Sequence, residues 1–145
     1  MGKTLALKAP DGRVAIMTVA DGEGYEEKAI ASFSATKFVP VSITEIDPAT
    51  VPQDRTFRDA WSFDHEAKAF DHDMGRARET HRQALRVQRT PLLATLDVEI
   101  SKAVAKGDSK AITDVEKERQ RLRDITKDPR IDAAATVDDL KAITL

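Results

Sequence analysis

Cysteine is absent from this chain of 145 residues, which excludes a disulfide framework, a thiolate zinc site and a thiol nucleophile. Aromatic residues are scarce, with one Trp, one Tyr and five Phe. Apolar runs are short, far below the ~20 residues that a membrane-spanning helix needs. Met1 is followed by Gly2-Lys3 with no apolar stretch of leader type behind it, so no secretory signal is expected. Neither sign of charge dominates: 23 Lys and Arg face 25 Asp and Glu, for a net charge of −2. That balance argues against a general nucleic-acid coat. What is abundant is alanine, whose 21 copies inflate the hydrophobic fraction of 41%. The expectation is a soluble, mixed α/β chain with a thinly filled core, of the kind that leans on partners for stability.

The near-neutral total hides an asymmetry. Residues 1–73 carry a balance of −5 and residues 74–145 a balance of +3. Pro10, Pro40, Pro48 and Pro52 precede the switch, and only Pro91 and Pro129 follow it. The predicted fold class is α+β: a small N-terminal β-β-α-β unit followed by an extended helical hairpin with a short C-terminal helix. Three segments are expected: a small acidic α/β unit over residues 1–50, a proline-rich connector with a Trp-containing hairpin over 51–72, and a basic helical hairpin over 73–145.

In the first segment, Leu5 and Leu7 alternate with other residues, Asp11-Gly12 marks a turn, and Val14, Ile16 and Thr18 oppose Ala15, Met17 and Val19. Two such runs around an Asp-Gly pair predict a β-hairpin. Residues 25–35 read as a short helix with Ala29, Ile30 and Phe33 on one face. Residues 38–46 alternate again, with Pro40 suggesting an edge strand. In the connector, residues 61–63 and 69–70 predict a second small hairpin. Trp61, the single tryptophan, reads as an anchor on a hydrophobic surface.

The last segment is helical, with helices expected over residues 74–106, 109–126 and 137–143. Asp73 is a candidate N-cap, and Leu85, Leu92, Leu96 and Ile100 fall on one stripe at helical spacing. Pro91 interrupts this helix; the in-phase stripe predicts a kink just before it rather than a new helix capped by Thr90. Lys106-Gly107-Asp108 is short enough to turn the chain back antiparallel. Asp108 or Ser109 caps the return helix, Asp128-Pro129 breaks it, and Thr136 caps the last one.

Carboxylates and imidazoles gather at Asp64-His65 and Asp71-His72-Asp73, with His81 beyond. Their spacing matches no metal-ligand pattern, and His81 lies on the apolar stripe, where a hydrogen-bonded core role is expected. No legible Ser/His/Asp set or phosphate loop is present. The expectation is a non-enzyme, with no catalytic residue, metal or cofactor. Arg76, Arg78, Arg82, Arg86 and Arg89 give residues 74–90 a balance of +4 against Glu79 alone. Without interleaved aromatics they read as ion-pair partners in protein packing rather than as phosphate contacts. They are placed around the helix outside its apolar stripe.

The segments Asp54-Arg55-Thr56-Phe57-Arg58-Asp59-Ala60-Trp61 and Asp73-Met74-Gly75-Arg76-Ala77-Arg78-Glu79-Thr80-His81-Arg82 resemble a module of tailed-bacteriophage proteins. The order continues with Arg86-Val87-Gln88-Arg89-Thr90-Pro91-Leu92-Leu93-Ala94-Thr95-Leu96-Asp97, then Gly107-Asp108, Arg121-Leu122-Arg123-Asp124 and Ala135-Thr136-Val137-Asp138-Asp139-Leu140-Lys141-Ala142. Residues 51–145 are similar in this way to the phage tail assembly chaperone and tail-fibre-associated family. Asp97 is followed by Val98, where the related pattern often has Trp.

The resemblance implies a structural protein of a phage tail, at the distal tail, baseplate or fibre-attachment region. It implies a place in the virion, with host cytoplasm as the site of assembly. Its implied partners are other tail proteins and sister copies, a trimer first; the short apolar runs add that no membrane is expected, and the charge balance and lack of interleaved aromatics set nucleic acid behind protein as a partner. The alternatives are a non-virion tail or tail-fibre assembly chaperone and a nucleic-acid-binding protein using the arginine-rich helix. The expected partner-binding residues are Phe57 and Trp61 as anchors, Leu85, Leu92, Leu96 and Ile100 as a packing stripe, and Arg78, Arg82, Arg86 and Arg89 as ion-pair partners.

Overall fold

A computed structural model describes residues 2–145 and shows an α+β chain. It divides into two compact units, the first running to Asp73 and the second spanning Met74–Leu145.

The first unit is built on β1 (Lys3–Lys8), β2 (Val14–Val19), α1 (Tyr25–Thr36) and β3 (Ser42–Ile46). Strand β1 is central and pairs antiparallel with both neighbours, giving the order β2-β1-β3. The β1–β2 register places Leu5 opposite Met17 and Leu7 opposite Ala15. At the turn, Gly12 takes φ 87, a left-handed value open to glycine at no Cβ cost. Asp11 accepts a hydrogen bond from the Arg13 N–H there (3.0 Å).

Alternation sends side chains of β1 to opposite faces, and both faces are covered. Leu5, Leu7 and Val19 form one core, with Ala29, Ile30 and Phe33 of α1 and Phe38 packed against it. Ala6 and Ile46 form the other with Phe63, joined by Val14, Ile16, Val51 and Phe70. Phe63 and Phe70 come from β4 (Trp61–Asp64) and β5 (Ala69–His72), an antiparallel hairpin that pairs Phe63 with Phe70. The segment read from sequence as a connector is therefore the second layer of the first unit.

Strand β3 begins at Ser42, later than the alternation of residues 38–46 predicts. Pro40 has no N–H for a ladder, and β1 ends at Lys8, opposite Ser42. The Val41 N–H makes one further bond, to the Lys8 carbonyl (2.8 Å). As an edge strand preceded by irregular chain, this segment leaves Val39, Val41 and Ile43 exposed.

The second unit consists of α2 (Met74–Lys106), α3 (Ser109–Asp124), α4 (Pro129–Ala133) and α5 (Val137–Lys141). Helix α2 runs uninterrupted through Pro91, so Thr90 starts no new helix. Proline removes the N–H that would bond the Val87 carbonyl, but Pro91 and Val87 are exposed, so solvent can satisfy that oxygen. The helix ends at Gly107 (φ 65) in a Schellman turn: the Asp108 N–H bonds the Ala103 carbonyl (3.0 Å) and the Gly107 N–H bonds that of Val104 (3.1 Å). Asp108 then caps α3, accepting from the Ala111 N–H at 3.0 Å.

After α3 a 3₁₀ turn spans Ile125–Lys127, and α4 follows directly. Pro129, read as a breaker, occupies the first turn of α4, and Asp128 caps it by accepting from the Arg130 N–H (2.9 Å). Helix α5 stops two residues before the expected end and carries a full capping box between Thr136 and Asp139. This cap holds Leu140, which is completely buried, at the end of the chain. Thr136→Ala is expected to cost about 1 kcal/mol. Thermal unfolding followed by circular dichroism should show a midpoint a few degrees lower, whereas Thr136→Ser should restore it.

Candidate functional site

The acid and histidine cluster resolves into separate structural tasks. Asp64 closes the β4–β5 loop, its Oδ1 accepting from the N–H groups of Glu66 (2.9 Å) and Ala67 (3.1 Å). Those two backbone donors, Ala67 first, hold its carboxyl below the usual aspartate range. Asp71 accepts from the His72 N–H (2.8 Å), and the His72 ring meets Phe57 edge-on, with centroids 6.4 Å apart. His81 is half-buried, with Nε2 2.8 Å from the Ile143 carbonyl oxygen. Among the described residues, no three His, Asp or Glu side chains converge as a metal site would require.

The two expected aromatic anchors lie inside the protein. Phe57 is 3% exposed and Trp61 4%. Trp61 packs edge-on against Phe70, with ring centroids 5.7 Å apart. Both rings are closed to a partner in the folded chain.

The leucine stripe is uneven along α2. Leu85 is fully buried, Leu96 and Ile100 are half-buried, and Leu92 is exposed. At 100° per residue, Leu85, Leu96, Ile100 and buried Ala103 share one face. Helices α2 and α3 pack together, and Asp97 of α2 takes an ion pair from Arg119 of α3 at 2.8 Å. Arg119 also holds Glu116, so one guanidinium serves a carboxylate on each helix. The stripe is thus largely consumed within the hairpin.

The arginines form the most ordered polar constellation in the second unit. The Arg89 Nη1 donates to the carbonyls of Leu122 (3.1 Å) and Arg123 (2.8 Å), and to the Thr126 hydroxyl (3.4 Å). Arg82 donates through Nε to the Thr126 carbonyl (3.2 Å) and through Nη2 to the Asp132 carboxylate. Arg78 reaches the Ala134 carbonyl at 2.8 Å. Three guanidinium groups on one helix therefore bind successive points of the chain as it returns from the end of α3 through α4.

The physical demand is clear. Carbonyls in the last turn of a helix have no partner within it, and the helix dipole puts negative potential there. A planar cationic fork satisfies both needs. Arg78, Arg82 and Arg89 share the face of Leu85 rather than lying outside the apolar stripe. Their methylene stems pass along apolar surface while the heads reach polar groups. The signal was present in their spacing of four and seven residues, which returns to one helix face. Arg86 differs: it pairs with Glu79 at 2.8 Å, and both side chains are well exposed. That pairing holds the Glu79 carboxyl below its usual range.

Two open clefts lie in the first unit, one lined by Lys3, Glu45 and Lys68 and the other by Lys8, Asp64 and His65. No protein-family model, curated protein or solved structure matches the chain.

Proposed function

We propose that the chain is a structural component of a bacteriophage tail, at the distal tail, baseplate or fibre-attachment region, and that it acts through protein–protein packing. The observation that carries this reading is the helical hairpin. Val87, Leu92, Val98 and Val104 are all exposed on α2, between 44% and 63%. Val87 and Val98 share one side of the helix, and an exposed apolar side of that kind marks a contact with another macromolecule. The sequence resemblance of residues 51–145 supplies the tail context.

The arginine geometry weighs against the nucleic-acid alternative. Arg78, Arg82 and Arg89 are bonded to carbonyls of their own unit, so a phosphate would have to displace them.

Quantitative mass spectrometry of particles purified from the producing host tests the proposal. The chain is expected at a fixed ratio to the other tail proteins. Its presence in the lysate but absence from finished particles would overturn the structural role in favour of a transient assembly chaperone.

A further inference from the structure

Helix α2 has a second apolar face, opposite the one that packs on α3. Ala84, Val87, Ala94, Val98, Ser101 and Ala105 follow one another at heptad spacing, with Pro91 in step between Val87 and Ala94. Every one of them is exposed, Val87 at 63% and Val98 at 54%. At 100° per residue this line lies about 180° from Leu85, Leu96 and Ile100. It contains no charged residue. Helix α3 is built differently: its exposed surface bears Lys110, Asp114, Lys117 and Arg121. A charge-free heptad line on the outside of a helix is the pattern of a coiled-coil seam.

The flanks of this line indicate its occupant. With Ala84, Pro91, Val98 and Ala105 at the a positions, Gln83, Thr90 and Asp97 take the g positions and Gln88, Thr95 and Lys102 the e positions. In a parallel, in-register pair, each g residue meets the e residue five positions on in the partner helix. This chain would then place Gln83 against Gln88, Thr90 against Thr95, and Asp97 against Lys102 of a second copy. All three pairs are chemically matched, and the last is an ion pair. Lys102 is exposed and has no carboxylate partner among the described residues. Asp97, although held by Arg119, keeps 59% of its side chain exposed. An antiparallel pair would bring g to g and e to e, forfeiting the opposition of Asp97 to Lys102.

We propose that the outer face of α2 is a self-association seam along which a second copy of this chain packs parallel and in register. Alanine and serine at the seam let two helices approach closely but provide too little volume to fill the axis of three, so the partner is one copy rather than two. This seam is independent of what the assembled protein serves.

The lack of cysteine makes the polarity directly testable. Ala84 and Ala105 lie at opposite ends of the seam, about 31 Å apart along the axis. Ala84→Cys and Ala105→Cys variants of the full chain should each cross-link to themselves with a short bismaleimide. Linkage only when the two variants are mixed would overturn the parallel arrangement.

Sedimentation equilibrium from about 1 to about 200 µM, a range that resolves modest affinities, should give the mass of two copies at the upper end. A monomer or a trimer there would overturn the two-copy seam. Ala94→Glu with Val98→Glu should weaken association by about 10-fold or more, because it buries like charges face to face. Circular dichroism should stay unchanged, since both positions are exposed in the single chain. Unaltered association in that double variant would also sink the proposal. Lys102→Glu, which sets a second carboxylate against Asp97 across the seam, should weaken it several-fold at low salt and less at high salt.

Discussion

Leu7→Ala is expected to be among the most damaging single substitutions in the first unit, costing about 2–5 kcal/mol. Leu7 has no exposed surface and sits in the central strand, opposite Ala15 on one side and Ile43 on the other. Its neighbours in the core are Leu5 and Val19, with α1 packed over them. Truncation removes the transfer free energy of the side chain and leaves a cavity beneath that helix. The sheet cannot close it by sliding, because a one-residue slip would turn Leu5 and Leu7 to the opposite face. A loss of this size is a large part of the 5–15 kcal/mol typical of a folded domain. Trp61, the sole tryptophan, lies in the same unit and supplies a local fluorescence signal for urea unfolding. Val39→Ala is the comparison: Val39 is 68% exposed and should change stability by less than about 0.5 kcal/mol. Equal effects from the two substitutions would refute the assigned core.

What could be read from sequence was what is decided locally. The Asp-Gly turn, the Asp108 cap, the glycine stop at Gly107 and the Thr136 cap each depend on a few neighbouring residues and stand where the pattern places them. The β-β-α-β order was legible because its periods of two and three to four are written in adjacent residues. Non-local packing was not. Nothing near Phe63 indicates that it will cover Ala6 and Ile46, so the β4–β5 hairpin reads as a connector until the sheet beneath it is seen. Pro129 shows a different ambiguity, since proline marks helix ends and helix beginnings alike. Its role as a beginning is set by Asp128, which caps the backbone and also pairs with Arg130 (2.7 Å). That side-chain pairing, with the Arg130 N–H second, holds the Asp128 carboxyl below its ordinary range.

The arginines were the least legible, because a hydrophobic pattern assigns every charge to the outside. Arg78, Arg82 and Arg89 instead lie on the packed face of α2. There the decisive acceptors are carbonyls at the end of α3 and beyond, which carry no sequence signature. The same pattern had marked only one apolar face on α2. The second face is composed mostly of small residues, which a search for leucine and isoleucine passes over.

Arg89→Met should destabilise the helical unit by about 2–3 kcal/mol, and the size of that loss separates two roles for the arginine row. Methionine preserves most of the stem packing and removes the cation and its donors. Two carbonyls in the last turn of α3 and the Thr126 hydroxyl then lose a charge-assisted donor. Loss of the positive charge near the C-terminal end of the α3 dipole acts in the same direction. Arg89→Lys keeps the charge without the fork and should recover about half of the loss. Arg86→Met should cost less than about 1 kcal/mol, because Arg86 and Glu79 form an exposed pair. Urea unfolding followed by far-ultraviolet circular dichroism, at low and at moderate salt, measures all three variants. The Arg86 effect should fade with salt, while that of Arg89, half-buried against backbone carbonyls, should persist. If Arg89→Met instead matched the wild type, the guanidinium would contribute nothing to the fold. Phosphate or partner contact would then regain its claim on the arginine-rich helix.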